Sequence, residues 1–191
     1  KVPQGTVLKF AEGIDVARNC NKLVEGMHGD WLWIMGDDHR FDPDILLKLL
    51  DRKVEIVAPV VGQRGEPFKP VFYKTAVPGG HDNKMYTWEM LNNDHPNGGL
   101  ITVDAVGSAG MLIRKWVFDA LPQPWFAYTQ YTSEDIAFCV NARGSGYKIH
   151  VDLDQTMSHI TPCDLEPTRN ADGKWYVSVN VDGRRVPLVF E

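Results

Sequence analysis

The first sixty residues switch between two hydrophobic periods. Thr6 to Phe10 is a short run of strand length. After it, Val16, Cys20, Leu23, Val24 and Met27 recur at helical spacing, which predicts an amphipathic helix from about Asp15 to Met27. Asp15 is placed to cap that helix, and Gly29 lies just past its end. Trp31 to Met35 is an unbroken apolar run, the pattern of a strand buried on both faces. It stops abruptly at Gly36-Asp37-Asp38-His39. Asp42 and Pro43 then supply an N-cap and a first-turn proline for a helix through Leu50. Val54 to Val61 is a second β-branched run, closed by Gly62. Strand, helix, strand, helix, strand in that order implies a parallel α/β sheet.

The pattern changes between Gln63 and Gly99, where Gly, Pro, Asn and Asp dominate and short strands are predicted at Pro70 to Tyr73 and Met85 to Met90. This stretch reads as an excursion over one end of the sheet. Leu100 to Val106 and Gly110 to Arg114 are predicted strands, broken at Gly107-Ser108-Ala109 and followed by a short helix to Leu121. Pro122 to Phe126 forms a rigid aromatic loop. Ser133 opens a helix that runs to about Arg143, with Gly144 and Gly146 as stop signals. Tyr147 to Val151 is a strand, and Lys174 to Phe190 reads as a hairpin turning at Asp182-Gly183. With no linker or repeat in sight, residues 1–191 are read as one domain.

Composition narrows the partners. With 43% hydrophobic and 24% charged residues, the chain can bury a core and is no acidic tail. A net charge of −5 argues against a generally basic nucleic-acid binder. No apolar run approaches the roughly 18 residues of a membrane span. The first ten residues lack the apolar core of a signal peptide. Cys20, Cys139 and Cys163 are too few for a disulfide framework, so a reducing cytoplasm is expected.

Three places carry chemistry. Asp37 and Asp38 follow a buried strand, where ligands bind in open α/β sheets. Two adjacent carboxylates there call for a cation, and hard oxygen ligands suit Mg²⁺ or Mn²⁺ bridging to phosphate. The plainer reading is a solvated turn with Asp42 or Asp44 as helix cap. Glu134 and Asp135 open a helix, either as dipole-favoured caps or as working carboxylates. His159 is either structural or a ligand. Its four-residue spacing from Cys163 has no second Cys/His pair, so a structural zinc site is not expected.

Taken in order, these pieces resemble glycosyltransferase family 2 of the GT-A fold, in the short form found in phages and bacteria. The resemblance rests on Ala17-Arg18-Asn19, Trp31 to Asp38, Val106 to Ile113, Glu134 to Phe138, Gly146 to Ile149 and His159, and it spans roughly residues 5 to 162. It implies a three-layer fold with a mostly parallel central sheet, mixed at one edge, and helices on both faces. Residues 1–62 would form the nucleotide- and metal-binding half. Residues 100–162 would form the acceptor and catalytic half, with the 174–190 hairpin appended.

The resemblance also implies roles. The family's Asp-x-Asp turn falls on Gly36-Asp37-Asp38, so Asp38 is the expected metal ligand, and Asp37 or His39 would substitute for the missing first Asp. His159 matches the histidine that completes the metal site, and a neutral imidazole favours Mn²⁺ over Mg²⁺. Asp135 is the expected general base and Glu134 its support, or an orienter of the acceptor. Arg18 would reach the diphosphate or brace the metal loop, unless it forms an ordinary ion pair. Gly107 and Gly110 would let the backbone approach the donor, or else mark a β-bulge. Trp125, Phe126 and Tyr128 would make a sugar platform, or else plug the core.

The activity implied is metal-dependent, inverting transfer of a sugar from a UDP- or GDP-sugar to a saccharide or other hydroxyl acceptor. The rivals are a catalytically silent nucleotide-sugar or carbohydrate binding module, and a nucleotidyltransferase or phosphohydrolase. No Gly-rich loop of the P-loop type is present. In family members a strand and helix come before the position of Val7. That strand is expected from upstream residues, another segment or another chain, and the C-terminal hairpin is a candidate for self-association.

Overall fold

The computed structural model describes residues 1–65, 67–181 and 183–187. Residues 1–15 contain no strand, so the strand expected at Thr6 to Phe10 is not formed. Val7, Leu8 and Phe10 are 66–80% exposed, and without a sheet edge beside it a five-residue run has nothing to pair with.

The first helix, α1, is Val16–Glu25, and the Asp15 carboxylate accepts the Arg18 N–H at 3.0 Å as its cap. The helix stops at Gly26, three residues before the glycine expected to end it. β1 (Trp31–Trp33) is half-buried rather than fully buried, because it is an edge strand. β2 (His39–Phe41) follows the acidic turn, and α2 (Ile45–Asp51) follows Pro43. β3 (Ile56–Val61) is buried at every position.

The 63–99 excursion holds β4 (Phe72–Thr75), β5 (Lys84–Met85) and α3 (Trp88–Asp94). A helix therefore replaces the second half of the strand expected at Met85 to Met90. The Thr87 hydroxyl accepts the Met90 N–H at 3.2 Å, a cap that outweighs the local strand composition. The predicted Leu100–Val106 strand is split into β6 (Leu100–Val103) and β7 (Ala105–Val106), which join different sheets. β8 (Leu112–Arg114), α4 (Lys115–Ala120) and α5 (Glu134–Gly144) follow.

β9 (Ile149–His159) runs eight residues past the predicted end at Val151. β10 (Asp164–Arg169), β11 (Trp175–Val181) and β12 (Arg184–Pro187) form a separate antiparallel sheet. The expected hairpin is thus part of a three-stranded unit. Gly183 of its turn has φ +80°, while Asp182 and residues 188–191 lie outside the described residues.

The main sheet has the order β1-β8-β3-β9-β2, with β6 also paired to β9. β3 and β9 are parallel neighbours; β8 lies antiparallel between β1 and β3, so β1, β3 and β9 all point one way. Antiparallel pairing therefore reaches beyond the one edge where it was expected, because β8 is inserted inside the sheet. Helices cover both faces. Val57, Val61 and Leu112 pack with Ile45, Leu46 and Leu49 of α2 on one side. Ile56, Ala58, Val60 and Ile113 pack with α1, α4 and α5 on the other. This alternation is the period-2 geometry of strands buried on both faces.

One irregularity positions the site. β3 and β9 stay in register up to Pro59↔Asp152 and resume at Val60↔Thr156, so β9 carries extra residues. Such bulges bend a strand and re-aim its remainder. Arg52, beyond α2, clamps this one: its guanidinium donates to the fully buried Asp152 carboxylate at 2.7 and 2.8 Å and to Asp154 at 2.7 Å. Beyond the bulge β9 meets β2, with His159 directly opposite His39.

Candidate active site

The carboxyl ends of β1, β3 and β9 point the same way, and the chemistry-bearing residues gather there. Asp38 lies in the turn after β1, His39 opens β2, and His159 ends β9. One donor atom from each lies within 4.8 Å of the other two. The register pairing of His39 with His159 stacks their rings at 4.3 Å between centroids. The Ile160 N–H donates to the Asp38 carbonyl at 2.7 Å and ties the turn to the strand end.

Each member is oriented. The His159 Nδ1 lies 3.2 Å from the Gly62 carbonyl, which directs Nε2 at the Asp38 carboxylate, 2.9 Å away. With Nδ1 held at a carbonyl, Nε2 faces the carboxylate, the orientation in which an imidazole ligates a metal ion beside an acidic partner. Burial alone would push the Asp38 carboxyl up. The hydrogen bond from His159 and the surrounding imidazoles outweigh it and hold the group below the usual carboxylate value.

The His39 side chain is only 5% exposed, and neither ring nitrogen has a hydrogen-bond partner. Its Nδ1 approaches Asp38 at 2.8 Å but is not aligned for a hydrogen bond. Burial pushes this imidazole below its ordinary value, by more than Asp38 raises it, so the contact is not a pair of full charges. A buried, neutral, unpartnered imidazole beside a carboxylate and a second imidazole is a donor set that fits a divalent ion. Two nitrogens and one oxygen suit Mn²⁺ better than Mg²⁺.

Asp38 and His39 of the turn both enter the cluster, and Gly36 leaves room for them. A Cβ at Gly36 would lie 2.8 Å from the Asp38 carboxylate and 2.9 Å from His39 Nδ1. No larger residue fits without moving the pair. Gly36→Ala is expected to weaken Mn²⁺ binding by roughly tenfold with little change in melting temperature, read by titration calorimetry beside thermal denaturation. Asp37 is exposed and outside the cluster. Arg64, from the loop after β3, places Nη1 3.3 Å from Asp38 Oδ2. Nothing local in the sequence singles it out, because the approach depends on how the excursion folds back.

The second carboxylate comes from α5. Asp135 accepts the Ser108 N–H at 3.2 Å and the Ile136 N–H at 2.8 Å, and it is hydrogen-bonded by the Ser133 hydroxyl. Ser133 stands at the N-cap position, but its side chain serves Asp135 instead of the helix backbone. Three donors occupy three of the roughly four lone-pair directions of a carboxylate. They fix Asp135 and leave one direction open.

Asp135, His39 and His159 line one cleft of about 130 Å³, together with Gly107, Ser108, Val61 and Val71. Residues far apart in the chain thus meet at one opening. Gly107 allows this closeness, since a Cβ there would meet Val71 at 2.8 Å and Asp135 at 3.6 Å.

Other expected residues lie elsewhere. Glu134 is 6% exposed and not in the cleft wall. Burial pushes its carboxyl up, and the charge of Asp135 adds to that. Arg18 is exposed on α1, and no ion pair or hydrogen bond joins its side chain to Asp37, Asp38 or His159. Gly110 has φ +77° and packs on Pro59 and Met157, so it serves the turn before β8 and not the cleft. The aromatic loop is mostly core. Phe126 is 1% exposed and stacks on Phe138 at 4.7 Å, and the Trp125 indole donates to the Phe118 carbonyl. Tyr128 alone of the three is exposed. Burial pushes the Cys20 and Cys139 thiols up to about 12, which leaves them inert.

No family model and no curated protein sequence matches the chain. Solved structures do. A197 from STIV matches with a TM-score of 0.51 at 12% identity, over 86% of this chain and 76% of that one. GalNAc-T7, crystallised with UDP, GalNAc and Mn²⁺, matches with a TM-score of 0.55 at 12% identity, over 77% of this chain. The match spans 30% of the GalNAc-T7 chain. No helix among the described residues is long and apolar enough to cross a membrane. At such identities the likeness carries the fold alone, and the fold is GT-A-like: a mixed, partly parallel sheet between helical layers.

Proposed function

We propose that the chain is a metal-dependent glycosyltransferase that moves a sugar from a UDP- or GDP-sugar to a hydroxyl acceptor with inversion. One observation carries this reading: two members of a divalent-ion donor set, His39 and His159, line the same cleft as a separately held carboxylate, Asp135, and Asp38 completes the set beside them. Asp38, His39 and His159 would hold the ion. When bound, it offsets the negative charge that develops on the departing diphosphate.

The chain's own residues do the rest. Asp135, fixed by Ser108, Ile136 and Ser133, presents its free lone pair to the acceptor hydroxyl and takes its proton. The acceptor oxygen bonds to the anomeric carbon as the bond from that carbon to the β-phosphate oxygen breaks, and the nucleoside diphosphate leaves. Attack opposite the leaving group inverts the configuration. The cleft, at about 130 Å³, is smaller than the about 300–1,000 Å³ that encloses a whole drug-sized ligand. It suits the sugar end of the donor, with the nucleoside lying across the open strand ends.

Incubation with candidate UDP- and GDP-sugars and Mn²⁺ is expected to release nucleoside diphosphate, by transfer or by slow hydrolysis. Release of pyrophosphate or inorganic phosphate would favour the nucleotidyltransferase or phosphohydrolase reading. Thermal stabilisation by nucleoside diphosphate plus Mn²⁺ without any turnover would favour a silent binding module.

A further inference from the structure

Asp38 Oδ2 has two partners: His159 Nε2 at 2.9 Å and Arg64 Nη1 at 3.3 Å. The second is the unusual one. The Arg64 side chain is 57% exposed, and among the described residues the pair with Asp38 is its one ion pair. The loop that carries it is pinned at its base. The Gln63 N–H donates to the Lys69 carbonyl at 2.9 Å, the Lys69 N–H to the Gln63 side chain at 3.0 Å, and the Val71 N–H to the Val61 carbonyl at 2.8 Å. The Trp88 indole holds the Phe68 carbonyl at 2.8 Å. The backbone of Arg64 is thus held beside the site while its head is free to turn.

A divalent ion and a guanidinium compete for the charge of one carboxylate, most directly when both lie at the same oxygen. The ion would sit about 2 Å from a ligand oxygen, and the two cations would repel strongly at that range. Metal binding therefore weakens the hold of Asp38 on Arg64 and favours its release. The pinned loop keeps the freed guanidinium near the ion, where a diphosphate bridged to that ion would carry its negative oxygens. A planar guanidinium binds phosphate bidentately, which an ammonium does not.

We propose that Arg64 is an exchange residue: it neutralises Asp38 while the metal is absent and clamps the donor diphosphate once the metal is bound. The proposal rests on the metal-and-nucleotide reading of the cleft and adds to it a residue and an order of events. Arg64 in this scheme touches the leaving group of the donor and not the reacting carbon.

The test is calorimetry on the full chain and its Arg64→Gln and Arg64→Lys variants, with Mn²⁺ alone and then with UDP and GDP at saturating Mn²⁺. Arg64→Gln is expected to bind Mn²⁺ alone several-fold more tightly, because the competing cation is gone. It should bind the nucleoside diphosphate at least tenfold more weakly, because the clamp is gone. Arg64→Lys should restore the weaker Mn²⁺ binding but not the full nucleotide affinity. Opposite signs for the two ligands are not produced by loosening of the loop, which would weaken both.

Unchanged affinities in Arg64→Gln, or weaker Mn²⁺ binding, would overturn the proposal while leaving the site reading intact. Absence of Mn²⁺ binding by the unsubstituted chain would overturn the metal reading itself. Mn²⁺ binding with no affinity for either nucleotide would overturn the donor reading. Either failure removes the exchange role as well.

Discussion

Asp38→Ala is expected to remove Mn²⁺ binding and sugar transfer together. Asp38 is the sole carboxylate of the three-residue donor set, and it orients both partners, through His159 Nε2 at 2.9 Å and the contact with His39. Without it two imidazoles remain, a weak site for a hard divalent ion beside phosphate oxygens. Loss of charge stabilisation on the leaving group costs on the order of 10²–10³ in rate. The fold should survive, because Asp38 is only half-buried and the sheet hydrogen bond it receives goes to its carbonyl. Calorimetry with Mn²⁺, an assay of nucleoside diphosphate release and circular dichroism together check this. Full activity with Mn²⁺ in the variant would overturn the assignment.

Asp135→Asn is expected to separate binding from chemistry. The amide has nearly the same shape and is not a ligand of the ion. Its one oxygen keeps either the Ser108 or the Ile136 N–H and loses the other, a local cost away from the metal, so Mn²⁺ and nucleoside diphosphate affinities should hold within about twofold. An amide cannot take a proton from the acceptor, and loss of a positioned base costs roughly 10²–10⁴ in rate. Steady-state kinetics beside calorimetry distinguish this from general damage. A fall in binding that matches the fall in rate would mean that Asp135 shapes the cleft instead of moving a proton.

The comparison of Asp38 and Asp135 with Glu134 shows what local sequence can carry. All three carboxylates stood out beside a strand end or a helix start. Tertiary packing buried Glu134 and left Asp135 facing the cleft. Adjacent residues on a helix point about 100° apart, so such pairs divide between core and site. The aromatic loop behaved alike: Phe126 went to the core and Tyr128 to the surface. Composition does not distinguish those outcomes, because both bury apolar ring area to different extents.

From the sequence alone came the α/β alternation, the helices capped by Asp15 and opened by Glu134-Asp135, and the acidic turn after an apolar strand. These depend on periodicity and on short-range hydrogen bonds, which a few neighbouring residues specify. The insertion of β8 between β1 and β3 and the eight-residue extension of β9 depended on pairing partners far away in the chain. So did the donor set. His39 meets His159 because a bulge held by Arg52 re-aims β9, and Gly36 stands where it does because Asp38 and His39 leave no room for a side chain. Ligand geometry is a property of register, and register is decided only when the strands meet.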